Sequence, residues 1–309
     1  MAVTYYKSID ASAPTLSGSA LSLTALLNSC LIAGYGSQSG LSWTRPNSTS
    51  NGASFKPASG SQPILQVYDN GQSANTYKEA RVRAYETMSD LDTGTQPFPT
   101  VAQATTGLAI RKSTTADSSV RPWKLIADAS RFYLFTQTGD FSTRYCVTFF
   151  GDIISYKTGG DSYSGTLIAR STEGTTESYD GFYQLNSSPS GSAIAGCYID
   201  RSYTGLGGAV AIGKIADYSK AQQTVIGAGS TVLTYPNGPD GGLYLSRIWV
   251  THGGALRGHL PGVWCPLHNL PLSDGDTFSG TGALSGRTFE AVSIAGTGQL
   301  MVETSNTWD

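Results

Sequence analysis

The sequence predicts a mainly β protein: antiparallel β-sandwich or barrel units with long loops and one N-terminal helix packed on a sheet. Three observations lead there. The stretch from Trp123 to Ser171 is dense in aromatic and β-branched residues, broken by Asp, Gly and Ser at strand-length intervals. The 309 residues include 37 glycines and 13 prolines, a supply suited to turns rather than to helices. Only one segment carries a convincing helical period.

That segment is Ser19–Gly34, where Leu23, Leu26, Leu27, Cys30 and Leu31 fall on one face. Ser19 is the expected N-cap and Gly34 the residue that stops the helix. The following stretch, 34–63, is rich in Gly, Ser, Asn and Pro and reads as loops with a short extended piece at Leu41–Thr44. ILQVYDN (64–70) then alternates, and a turn at Asn70–Gly71 leads to EARVRAYETM (79–88), with Ala80, Val82 and Ala84 sharing a face. DLDTGTQPFPT (90–100) reads as irregular, because its two prolines remove donors and restrict their predecessors.

The strongest β block follows: WKLIAD (123–128), RFYLFTQTG (131–139), RYCVTFFGDIISY (144–156) and GTLIARS (165–171), an expected meander or sandwich. STEGTTESYDG (171–181) and LNSSPSGSAIAG (185–196) read as exposed loops between it and further strands at 196–203 and 209–217. Leu233 and Leu245 flank a Pro-Asn-Gly-Pro-Asp-Gly turn that predicts a hairpin. LPGVWCPLHNLP (260–271) reads as a shaped irregular loop, and 287–305 as a last short hairpin. The expected division is 1–63 (helix and extended loops), 64–170 (sandwich-like domain) and 171–309 (C-terminal β domain with the shaped loop). No fixed-period repeat supports a solenoid or propeller.

Composition narrows the function. Charged residues make up 14% of the chain and the formal net charge is −2, so no broad basic surface exists to neutralise a phosphate backbone. About a quarter is usual. Low charge suits a protein that hides surface against neighbouring copies. MAVTYYKSIDASAP has neither a basic nor an apolar signal region, and the longest apolar stretch is too short to cross a bilayer. The expectation is a protein made in the cytoplasm, with no nucleic-acid or membrane partner. Cys30, Cys146, Cys197 and Cys265 show no paired spacing and read as buried thiols.

Site motifs are weak. Cys265 and His268, with His252 and His259 nearby, are spaced as zinc ligands can be. No second Cys/His pair accompanies them, and a Pro/Trp/Cys loop packed into a core or interface is the favoured reading. Asp274-Gly275-Asp276 lacks the remaining ligands of a calcium loop and reads as a turn. Gly205–Gly208 lacks the third glycine of a dinucleotide site, and Ile215 stands where a phosphate loop needs Ser or Thr. No GxSxG occurs. Asp128, Asp140, Asp152 and Asp161 are scattered acids at strand ends, where turns are their usual work. Tyr179, Phe182, Tyr183, Tyr198 and Tyr203 lie beside Ser/Gly-rich loops, the composition of adaptable contact surfaces, whether for a glycan or, as favoured, for a neighbouring subunit. No catalytic, cofactor-binding or metal residue is assigned, and the chain reads as no enzyme.

Five motifs resemble virion structural proteins of tailed bacteriophages: SGSALSLTALLNSCLIAGYGSQ (17–38), AYETMSDLDTGTQPFPT (84–100), RPWKLIADASRFYLFT (121–136), FFGDIISYKTGGDSY (149–163) and LPGVWCPLHNLPLSDGDTFSGTGALSGRTF (260–289). They are spread from end to end, so the likeness is to a whole protein. It implies a particle component of the tail or baseplate, located in the virion and bound to copies of itself and to neighbouring virion proteins. The alternatives are a capsid decoration or head-fibre protein, or a receptor-binding protein contacting a host surface glycan. The resemblance carries no functional residue with it.

Overall fold

The structure is a computed structural model that describes residues 2–70, 78–139, 143–170, 182, 196–207, 213–216, 233–234, 242–252, 255–266, 268–269, 272–294, 299–305 and 308. The side chains of 213–216, 233–234 and 268–269 fall outside that description. Tyr179, Tyr183, Asp140 and most of both Ser/Gly-rich loops lie outside the described residues.

The architecture is mainly antiparallel β, organised around a six-stranded sheet buried on both faces. Its strand order is Thr4–Lys7, Trp123–Ala127, Arg131–Thr136, Cys146–Asp152, Gly165–Ile168, Cys197–Ile199. Alternate side chains of a strand point to opposite faces, so each run of apolar residues supplies two cores. Trp123, Leu125, Phe132, Leu134, Phe150, Leu167 and Tyr198 enter the first. Ile126, Tyr133, Phe135, Val147, Phe149, Ile168 and Ile199 enter the second. A sheet covered on both sides explains why RFYLFT is apolar or aromatic at nearly every position instead of alternating with polar residues.

The first core is closed by the helix and by a five-stranded sheet ordered Ser48–Thr49, Gly52–Phe55, Ile64–Tyr68, Glu79–Tyr85, Leu108–Arg111. Trp43 lies between Phe132 and Phe150, with centroids 5.8 and 6.1 Å away, and its Nε1 donates to Asp128 O at 3.0 Å. Burial of each such ring contributes about 1.5–3 kcal/mol. The second core is closed by the C-terminal sheet, ordered Gly213–Ala216, Leu245–His252, Ala255–Pro266, Gln299–Glu303, Thr288–Ser293, Thr277–Ser279, with Ile154–Ser155 also paired to Ala255–Pro266.

The helix forms where its period placed it, as α over Ser22–Asn28 continuing as a π turn over Ser29–Ala33. Gly34, at φ 79°, ends it. The N-cap differs from expectation. Ser19 does not cap; Leu21 occupies the N-cap in a left-handed conformation with no side-chain cap of its own. Asp69 replaces it from the end of the strand Ile64–Tyr68, its Oδ2 accepting from the N–H groups of Leu23 (2.8 Å) and Thr24 (3.1 Å).

Other sequence expectations change. The stretch read as loops contains Gly52–Phe55, a fully buried strand. The proline-rich stretch keeps a short strand, Thr93–Thr95, paired with Thr87–Asp90 before Pro97 and Pro99 stop the ladder. Leu233–Thr234 does not form a hairpin with Leu245–His252; it pairs in parallel with His268–Asn269, while Leu245–His252 pairs with Gly213–Ala216 and Ala255–Pro266.

The largest correction concerns Leu260–Pro266, which is not an irregular loop but the second half of the 12-residue strand Ala255–Pro266. The ladder matches Trp249 with His259 and Arg247 with Trp264, so Leu260–Val263 bulges opposite Ile248 alone. That bulge accommodates Pro261, which cannot donate. It also turns the Pro261 carbonyl inward, where Tyr133 Oη donates to it at 2.7 Å.

The N-terminal strand, the central sheet and the C-terminal sheet meet at Glu290. Lys124 Nζ (2.8 Å) and Tyr5 Oη (2.8 Å) donate to its Oε1, and Lys7 Nζ to its Oε2 at 3.0 Å. Asp274 adds a second carboxylate, 3.2 Å from Lys124. Asp274-Gly275-Asp276 is therefore a turn whose first carboxylate is tied into the core.

Candidate functional site

The feature best suited to recognition lies where the central and C-terminal sheets join. Asp152 ends a central strand, and the chain then adds Ile154–Ser155 to the C-terminal sheet through Ile154↔His259 and Ser155↔Gly258. Gly258 is required there, since a Cβ would sit 2.1 Å from Ile154 O. Tyr156 follows and is held by its N–H to Arg257 O (2.9 Å) and by its hydroxyl against His259 Nδ1 (2.8 Å). Beneath it, Arg257 grips Asp161 with two hydrogen bonds of 2.8 and 2.9 Å, both side chains 1% exposed.

On this rigid floor stand Tyr156, Tyr203 and Leu256, respectively 47, 51 and 52% exposed, around a pocket of about 190 Å³ with Lys157 at its side. Large apolar side chains gathered in solvent around one concavity mark a contact site more than scattered ones do. Tyr203 was legible as a surface aromatic beside a Gly-rich loop. Leu256, Lys157 and Arg257 were not, because their proximity follows from a strand pairing 100 residues apart that no local spacing records.

Next to this pocket, Arg201 lies over the Tyr163 ring (5.2 Å) and pairs with Glu86 through its Nε and Nη2, the latter at 2.8 Å. Asp200 is buried beside them. Burial, then the charge of Glu86 and a hydrogen bond to it, pushes the Asp200 carboxyl up to about 8. Its neutral form donates to Glu86, which the bond to Arg201 holds below the usual range against its own burial.

The other sequence candidates are engaged elsewhere. His259 Nε2 faces the Arg247 guanidinium, a cation where a zinc ion would need to sit. Cys265 is buried in the second core opposite Ser246, and His268 lies on its short parallel strand. Among the described residues, no three His, Cys, Asp or Glu side chains converge as a metal-holding group. Asp128 accepts from the N–H groups of Ser130 and Arg131, Asp152 from Ser61, and Asp161 from Arg257. Phe182 and Tyr198 are buried in the chain's own cores and are not exposed contact residues. Gly213–Ala216, the described part of the phosphate-loop near-match, is a strand. No described helix is long and apolar enough to cross a membrane.

No family model matches the chain, and no curated protein is significantly similar to it. The fold and its surface define a layered, mainly antiparallel β protein with an exposed, aromatic-lined pocket at the junction of two sheets.

Glu290 and Asp200 shift the pH response with opposite signs. Burial raises Glu290, but Lys124, Lys7 and Tyr5 outweigh it and hold it below the ordinary value. Its contribution is present above the unfolded value of about 4.3 and lost as pH falls through the lower folded one. Asp200 is raised, so its contribution is present below about 3.9 and lost as pH rises toward 8. Asp200→Asn should raise the melting temperature by a few degrees at pH 9, by progressively less as the pH falls, and leave it nearly unchanged only at about pH 4 and below. Glu290→Gln should destabilise at pH 7 and lose that deficit as the pH falls below the unfolded value and through the lowered folded one. Thermal unfolding across pH checks both; a flat difference curve for either variant contradicts its assignment.

Proposed function

We propose that this chain is a non-enzymatic structural component of a bacteriophage virion, in the tail or baseplate, assembling by subunit–subunit contacts. The observation that carries the reading is the exposed Tyr156–Tyr203–Leu256 patch over the buried Arg257–Asp161 pair. Aromatic anchors on a rigid base are the residues that dominate interface energies. The charge-poor composition, the phage-like motifs and the doubly buried central sheet support the same role. A patch of this kind on one side of a subunit, meeting a different surface of the next, gives a heterologous contact that closes into a ring.

The test is assembly. Tyr203→Asp with Leu256→Asp should leave the monomer's melting temperature within about 2 °C of wild type, because both side chains are half in solvent. It should reduce incorporation into particles at least tenfold, by roughly the weight of one interface hot spot. Thermal unfolding of the isolated chain reads the first result and mass spectrometry of purified particles the second. Absence of the wild-type chain from the particles, or normal incorporation of the double variant, contradicts the proposal.

A further inference from the structure

A second pocket, of about 210 Å³, opens on the outward face of the five-stranded sheet, away from the Tyr156 patch. Its floor comes from one strand face. Glu79–Tyr85 turns Ala80, Val82 and Ala84 into the first core, so Arg81 and Arg83 point the other way. The neighbouring strand contributes Gln66 and Tyr68, and the mouth is formed by Asp92 and Thr105. Arg81, Arg83 and Gln66 are buried, while Asp92 and Thr105 are exposed. The result is a deep polar recess with its cations at the bottom.

Arg83 is the informative residue. Its Nη2 is anchored by the carbonyls of Ala104 (2.5 Å) and Thr105 (3.1 Å), which fixes the plane of the guanidinium. Its Nε is buried with no hydrogen-bond partner among the described residues. A buried N–H left in that state costs about 1–3 kcal/mol, so this guanidinium keeps hydrogen-bonding capacity that its protein neighbours do not use. Planar guanidiniums match carboxylates and other oxyanions best.

The mouth restricts which oxyanion. Asp92 accepts from Gln66 Nε2 at 2.7 Å and from the Tyr68 hydroxyl, but its negative charge still lies at the entrance. A dianion such as phosphate is repelled by it about twice as strongly as a monoanion, and a monoanion that offers hydroxyls to Asp92 and Thr105 offsets its smaller repulsion with hydrogen bonds. The space holds about seven waters' worth of liquid, so the ligand is small.

We infer that this recess is a binding site for a small hydroxylated monocarboxylate, an acidic sugar unit, with its carboxylate on Arg83 beside Arg81 and its hydroxyls on Asp92 and Thr105. The site is separate from the assembly patch and does not depend on it. On a particle surface, such a site would contact acidic glycans.

Titration calorimetry on the full chain tests this with five probes: D-glucuronate, D-galacturonate, D-glucose, acetate and phosphate. At least one uronate should bind with a Kd of roughly 1–10 mM, about tenfold or more tighter than glucose, acetate or phosphate. Arg83→Gln should weaken that binding about tenfold or more. Asp92→Asn, at an exposed position, should weaken uronate binding and improve phosphate binding. The inference is overturned if neither uronate outperforms the three controls, or if folded Arg83→Gln binds as wild type. Should Arg83→Gln fail to fold, Asp92→Asn decides alone: unchanged discrimination against phosphate overturns the inference.

Discussion

Asp69→Ala is expected to destabilise the protein by about 3–5 kcal/mol, the range for leaving one member of a buried ion pair alone. Both Asp69 and Lys112 are 0% exposed, and the lysine reaches the carboxylate directly. Lys112 Nζ also donates to Ser19 O at 2.8 Å, so it ties the chain entering the helix to the sheet beneath. Removing Asp69 strands an ammonium group in the core and takes away the acceptor for the N–H groups of Leu23 and Thr24. The loss of a cap alone would cost only about 1 kcal/mol. The two contributions separate in a second variant, Asp69→Asn with Lys112→Met, which keeps an acceptor for the helix and removes the charge. It should recover most of the loss, since replacing both charges by matched neutral groups is often neutral. Urea unfolding measures both; a cost below about 1 kcal/mol for Asp69→Ala would show that the pair carries no such weight. Salt should change the result little, because a pair this buried is poorly screened.

The same residue marks what the sequence could tell. The helix was legible because Leu23, Leu26, Leu27, Cys30 and Leu31 repeat at helical spacing, and that period reports a buried face whatever the helix packs on. Its cap was not legible. Ser19 was the sensible local choice, but the acceptor arrives from Asp69 across a tertiary contact. The central strands were legible for an analogous reason, since runs such as WKLIA and RFYLFT suit a sheet and little else. What those runs left open was their partner. Leu233–Thr234 and Leu245–His252 looked like a hairpin because a turn signal lies between them, yet each pairs elsewhere. Gly52–Phe55 was hidden because GASF carries little β character, and burial between neighbours makes it a strand.

The two surface pockets were less visible still. Tyr203 could be read as a surface aromatic, but the pocket around it depends on Ile154–Ser155 joining a sheet formed mostly by the C-terminal third of the chain. Arg81 and Arg83 alternate with Ala80, Val82 and Ala84 along one strand, whose apolar face is the part that a hydrophobic period reports. Their alternation is the sign that this strand has a second, polar face with work of its own.

Gly262→Ala carries the second large expected effect, a destabilisation of about 2–4 kcal/mol from overpacking and backbone strain together. Gly262 lies in the bulge at φ +69°, and a Cβ there would come within 2.2–2.6 Å of three Trp308 ring atoms. The indole has little freedom to retreat. Its Nε1 donates to Glu303 O at 3.0 Å, and its ring meets Tyr133 edge-on at 5.6 Å. Tyr133 in turn holds the Pro261 carbonyl, so glycine, proline, tyrosine and tryptophan form one closed contact around the bulge. Trp308→Ala alone should cost about 3–5 kcal/mol through the cavity it leaves. Combined, the two substitutions should cost less than their sum by roughly 1–3 kcal/mol, because the methyl group then enters space the indole has vacated. The remaining cost of Gly262→Ala in the Trp308→Ala background measures the left-handed backbone by itself. Additivity of the pair within about 0.5 kcal/mol would mean that Trp308 is not what requires a glycine in this strand.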